Sequence, residues 1–150
     1  MIEAQNTKKV LLLPPQLKDN GDFAGNTYVD TLGYGYAEFL FITGTIDAAI
    51  GSTAEGTAPL IEECDTTDGS YTAVSGAALA TAIAATKDDK LKQVDVNLQD
   101  GTFKRYMRVQ APHAGDGTTG ANAAIVCILS KPLKGPASAA ERGLDEHVIA

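Results

Sequence analysis

Apolar and β-branched residues in this chain come in short runs, the longest being the seven residues of Ala123–Leu129. Clusters of Gly, Pro, Asp and Asn separate them, roughly every 10–15 residues. Runs of this length suit strands, and none approaches the about twenty residues of a membrane helix. Short strands at this spacing build antiparallel sandwiches and barrels. Strand and helix do not alternate regularly, so a parallel α/β sheet is not expected.

The runs can be taken in order. Lys9–Leu13 (KVLLL) is expected to stop at Pro14–Pro15, since proline cannot donate to a sheet ladder. Residues 18–26 (KDNGDFAGN) read as a loop. Asn26–Asp30 (NTYVD) is β-rich and leads through a Gly-punctuated bend, Thr31–Gly35, into Tyr36–Thr43 (YAEFLFIT), the clearest core strand. A small-residue loop spans Gly44–Gly56. Ala58–Cys64 (APLIEEC) and Tyr71–Val74 (YTAV) flank a turn at Asp65–Ser70, where Asp and Ser bond their own backbone.

Leu91–Leu98 alternates Val94, Val96 and Leu98 against Gln93, Asp95 and Asn97, the mark of a half-buried strand. Asp100-Gly101 then signals a hairpin. Phe103–Ala111 is expected to return with Phe103, Arg105, Met107 and Val109 on one face and Lys104, Tyr106 and Arg108 on the other. Pro112–Gly120 is a loop, and Ala121–Ser130 (ANAAIVCILS) is too apolar to face water on either side. Ala77–Thr86 reads two ways. Its alanines favour a helix with Leu79 and Ile83 on one face, and its small residues also suit a loop.

Seven or eight strands with at most one helix predict an all-β fold: an antiparallel β-sandwich, jelly-roll-like or immunoglobulin-like, with extended N- and C-terminal arms. The 150 residues are about one domain's worth. The sandwich is expected over 1–131, with 1–13 as an arm or a strand. From 132 to 150 the composition shifts. Ser138 and Glu141 match a capping box, Gly143 would end that helix early, and Leu144, Val148 and Ile149 are left without an obvious core. This segment reads as an arm on the domain or on a neighbour, or as a frayed terminus.

Twelve Lys and Arg against nineteen Asp and Glu give a net charge of −7. That argues against binding the nucleic-acid backbone or an anionic membrane surface. The start, MIEAQNTKK, has an early Glu and no apolar stretch behind it, so no secretory signal is expected. Cys64 and Cys127 each lie in an apolar stretch and read as small buried hydrophobes, a bridge between them being the lesser reading.

The inventory for chemistry is thin. His113 and His147 stand apart, and no metal-binding or Cys–His nucleophile spacing is present. Neither Gly115–Gly120 (GDGTTG) nor Gly33–Gly35 (GYG) matches a phosphate-binding loop. Asp65–Gly69 and Asp19–Asp22 cluster oxygen ligands but lack a full calcium loop, and read as Asx-turns. Glu62-Glu63 and Asp88-Asp89 would point to opposite faces of a strand. Lys104, Arg105 and Arg108 form the one basic cluster, with Lys104, Tyr106 and Arg108 sharing a face. That face either pairs with an acidic neighbour as a contact patch or is simply solvated. No cofactor is implied, and no enzyme activity is expected.

Several segments, in order, carry a resemblance: KKVLLLPPQ, TYVDTLGYGYAEFLFITGTID, DGSYTAVSGA and DGTFKRYMRVQAPHAGDGTTGANAAIVCILSK. The marks are the Asp30–Tyr34 bend before an apolar strand, the Asp68–Tyr71 turn, the Arg105–Val109 strand, a Gly-rich loop and a last Ala-rich strand ending in Leu-Ser-Lys. The chain resembles, over roughly 8–131, the small head decoration or cement proteins of tailed phages and prophages. The stretch 76–92 departs from the compact hairpin of that pattern, and 132–150 lies outside it.

The resemblance implies a sandwich on the outside of an icosahedral head, clamping major capsid protein subunits as a homo-oligomer, a dimer or trimer, made in the host cytoplasm and carried on the virion. It implies no nucleic-acid or membrane partner. The contacts expected are the arms, with Leu144, Val148 and Ile149 as anchors, and the Lys104, Tyr106, Arg108 face. The alternatives are a tail, connector or spike component recognising a host surface, with Tyr34, Tyr36, Tyr71 and Tyr106 as its aromatic platform, and a small enzyme built around His113.

Overall fold

The computed structural model describes residues 6–19, 23, 27–51, 58–100, 102–113, 120–133 and 140–145. Eight strands follow one another: β1 (Lys8–Lys18), β2 (Val29–Asp30), β3 (Tyr34–Ile46), β4 (Leu60–Cys64), β5 (Thr72–Ala78), β6 (Leu91–Asn97), β7 (Tyr106–Gln110) and β8 (Ala121–Pro132). The described residues contain no α-helix, and a 3-10 turn spans Ala140–Arg142.

The strands form two four-stranded antiparallel sheets packed face to face, ordered β1-β8-β3-β6 and β2-β7-β4-β5. The pairing is nested. β1 lies against β8, β2 against β7, β3 against β6 and β4 against β5. A chain folded back on itself and then rolled into two sheets has this connectivity, which is that of a jelly roll. An immunoglobulin sandwich orders its strands differently, so the nesting decides between the two expected forms.

The core lies between the sheets and follows the period-two rule. Ala37, Phe39 and Phe41 of β3 meet Ile125, Cys127 and Leu129 of β8, with Val94 and Val96 of β6 beside them. Ile61 of β4 and Met107 and Val109 of β7 close over them from the second sheet. β8 is flanked by β1 and β3, as its unbroken apolar run requires. Cys127 points into this core, while Cys64 ends β4 of the other sheet beside Gly69 and Thr66, and both are buried free thiols.

Four expectations are corrected. β1 does not stop at Pro14–Pro15 but runs to Lys18, because it is an edge strand and its register shifts between Leu11 and Leu13 and again between Leu13 and Gln16. Prolines are tolerated at such edges and bulges. The helix reading of Ala77–Thr86 fails. β5 takes the chain to Ala78, Leu79 N–H donates to Pro59 O, and fully buried Ile83 exchanges backbone hydrogen bonds with Ile50. An isolated alanine-rich helix of this length is marginal, so the tertiary bridge wins.

Asp100-Gly101 makes no hairpin either. β6 and β7 lie in different sheets, and the chain crosses the sandwich between them. Phe103–Arg105 therefore precede β7, and Arg105 is exposed rather than on the inward face with Met107 and Val109.

Two further segments take definite places. Lys8–Leu13, expected as arm or strand, is sheet. The C-terminal Ala140–Leu144 lies along the same strand, and Gly143, at φ +73°, sits so close to the Lys9 backbone that a Cβ there would meet the Lys9 carbonyl oxygen. The capping residue Ser138 and the tail residues Val148 and Ile149 lie outside the described residues.

Candidate partner-binding face

The second sheet turns one face to the core and the other to solvent, and the outward face gathers the chemistry. Met107 and Val109 point inward, so Tyr106 and Arg108 point out. Register places Glu62 of β4 opposite Arg108, and the Arg108 Nε donates to Glu62 Oε2 at 2.8 Å. The same guanidinium stacks over the Tyr71 ring at 4.1 Å, a favourable arrangement for a planar cation. Burial, ahead of its charged neighbours, raises the Tyr71 phenol above its ordinary pKa.

A second cluster continues along the strand. Arg105 lies over the Tyr106 ring at 5.0 Å, and Tyr106 takes the Tyr28 ring edge-on at 5.3 Å. Arg105 also grips Asp30 of β2 with both arms, Nε to Oδ1 at 2.9 Å and an Nη to Oδ2 at 2.7 Å. Those hydrogen bonds hold the Asp30 carboxyl below its ordinary pKa, and the same contact raises that of Arg105. Tyr28, Val29 and Asp30 then form one wall of an open groove of about 380 Å³, with Lys8–Leu11 and Gly143 on the other side. The groove follows the seam between β1 and β2, where the two sheets present neighbouring edges.

Of the candidate residues, Tyr106 and Arg108 come together as expected. Lys104 does not join them. It precedes β7, its Nζ donates to Thr72 Oγ1 at 3.3 Å, and its backbone N–H donates to Glu63 Oε2. Glu62 and Glu63 do point opposite ways. Leu144, half-buried, stands at the end of the segment lying on β1.

Sequence reading missed Tyr28 as a member of this face, because its partner Tyr106 is brought beside it only by the pairing of β2 with β7. It also missed buried Phe23, a lone aromatic inside a Gly- and Asp-rich loop, whose ring lies 5.2 Å from that of His113. That isolation was the one available signal.

The other candidates resolve differently. The four tyrosines of the aromatic-platform reading are divided, Tyr34 and Tyr36 on the first sheet and Tyr71 and Tyr106 on the second. His113 is buried, with Nδ1 3.1 Å from the Ala49 carbonyl oxygen and Nε2 3.1 Å from that of Lys18. Among the described residues, no three His, Cys, Asp or Glu side chains come together as a metal-binding group. No family model matches the chain, and no curated protein does.

Proposed function

We propose that this chain is a structural protein of a tailed-phage virion that binds the outside of the icosahedral head and cements neighbouring major capsid protein subunits, acting as a homo-oligomer. The fold alone carries no such assignment, since jelly rolls serve in capsids, lectins and cupins alike. What supports the reading, beside the resemblance of its strands and turns to decoration proteins, is the outward face of the second sheet.

There Tyr28, Tyr71 and Tyr106 are held by Arg105 and Arg108, which Asp30 and Glu62 fix in turn. Tyrosine and arginine are the residues that anchor protein interfaces. Here their rotamers are restrained before any partner arrives, which lowers the entropy cost of binding. A repeated surface multiplies many modest contacts of this kind by avidity and needs no reaction chemistry.

The test is co-sedimentation of the protein with expanded, undecorated heads from the same source, with copies counted per head. Saturation at a number set by the head symmetry is expected. Tyr106→Ala and Arg108→Ala, each truncating an interface anchor by about 2 kcal/mol, are expected to weaken binding about 30-fold. Unchanged binding by both variants overturns the assignment of this face. Absence of binding by the intact protein overturns the function.

A chain ending at Leu133 separates the roles of Leu144, Val148 and Ile149. Loss of head binding by a still-folded domain makes the tail a contact arm. Retained binding limits it to the β1 edge on which Ala140–Leu144 already lie.

A further inference from the structure

We infer that the outer face of the first sheet is where a second copy of this chain docks, the two sheets facing each other across a two-fold axis that runs along the strands. The inference goes beyond the head-binding reading and uses the opposite side of the sandwich.

Antiparallel sheets that cover a core on one side ordinarily present polar residues on the other. This one does not. Register aligns Leu11, Val126, Leu40 and Gln93 as one row across β1, β8, β3 and β6. The next row sets Ile42 between Ala124 and Leu91. Leu11, Ile42 and Leu91 are 54, 41 and 61% exposed. A contiguous apolar surface, unlike scattered single residues, marks an interaction site.

The row on the other side of Leu11 says what covers it. It runs Lys9, Ile128, Glu38, Asp95, with the cation on one edge strand and the anions toward the other. Among the described residues none of these three charges has an ion-pair partner. The Lys9 Nζ donates to Thr7 Oγ1, and Asp95 accepts from the Gln93 amide.

A two-fold axis between the sheets and along the strands keeps each row at its own height and reverses its order. Strand β1 then lies over β6 of the other copy, and β8 over β3. Lys9 meets the second Asp95, with the second Glu38 one strand spacing away, about 4.8 Å. Val126 meets the second Leu40. The contact is isologous, so each pairing occurs twice and the assembly closes at two copies. A two-fold axis across the strands, about the Leu11 row, would instead press Glu38 onto Ile42 and Asp95 onto Leu91, burying anions without partners. The charge pattern therefore selects both a second copy and its orientation.

Sedimentation of the intact chain is expected to show a dimer, and Leu40→Glu a folded monomer by circular dichroism. Lys9→Glu and Asp95→Lys are each expected to weaken the dimer by about tenfold, and the double exchange to restore it. These surface exchanges leave the core untouched, so they report on the contact even where Leu40→Glu does not fold. A wild-type monomer up to about 100 μM, or a double exchange that restores nothing, overturns the inference. If the intact chain is monomeric and Lys9→Glu loses head binding, this face belongs to the head; the present inference and the homo-oligomer part of the proposed function then fall, and the head-binding part stands. A dimer that fails to bind heads upholds it and overturns the proposed function.

Discussion

Cys127 sits mid-strand in β8 with its side chain fully buried, and burial drives its thiol far above the ordinary cysteine range. A thiol this reluctant to ionise is a poor nucleophile. In the native protein it is expected to resist a thiol reagent until the domain unfolds, so labelling followed by mass spectrometry reads the opening rate. Cys127→Ser adds a hydroxyl to an apolar site and is expected to cost about 1–3 kcal/mol in a denaturant titration. Asp30 behaves oppositely. Its hydrogen bonds from Arg105 lower its pKa in the folded state. A carboxyl lowered on folding contributes stability that is complete above its unfolded value, about 4, and lost as pH falls through the folded one. Asp30→Asn should therefore trail the wild-type denaturation midpoint slightly at neutral pH, because the pair is exposed and screened by salt. The gap should close below about pH 4, which paired denaturant curves at pH 7 and pH 3 would check.

At the scale of elements, Gly143 is the position on which the C-terminal segment turns. Its φ of +73° is costly for any other residue, by about 1–2 kcal/mol. A Cβ there would also meet the Lys9 carbonyl oxygen. Gly143→Ala is expected to lift this segment off β1, read as faster trypsin cleavage after Arg142 with little change in the unfolding of the sandwich. Strands whose evidence is local were legible in the sequence. β3 and β8 show as apolar runs and β6 as strict alternation, and each stands where its pattern put it. The failures share a cause. Pro14–Pro15 ends a central strand but not an edge, and nothing nearby says that β1 is an edge. Asp100-Gly101 looks like a hairpin until β7 is claimed by β2 and β4. Ile83 belongs to a helix pattern until Ile50 binds it. The candidate site divides in the same way. Alternation alone puts Tyr106 and Arg108 on one face, whereas Tyr28, Tyr71 and Glu62 join them from other strands, through pairings no local window contains.

For the whole molecule, nesting means that the outermost pair is the most distant in sequence: Lys8 lies opposite Leu129. Non-local pairing of this kind makes folding slow, on the order of milliseconds to seconds, because loop closure must precede its reward. With no tryptophan in the chain, tyrosine emission is the probe for stopped-flow refolding. The same pairing brings the first and last strands side by side, so cargo attached before β1 or after β8 would leave from one pole of the sandwich and crowd the same space. It also makes the chain's order reversible in a useful sense. A flexible linker from Leu133 to Thr7, with new ends opened in the Asp65–Ser70 turn between β4 and β5, preserves every pairing but turns the nest inside out. The β8–β1 contact becomes the nearest-neighbour hairpin, and β4–β5 becomes the long-range closure. Such a circular permutant is expected to reach the same two sheets by a different route, with the β8–β1 pairing now local and among the first to form.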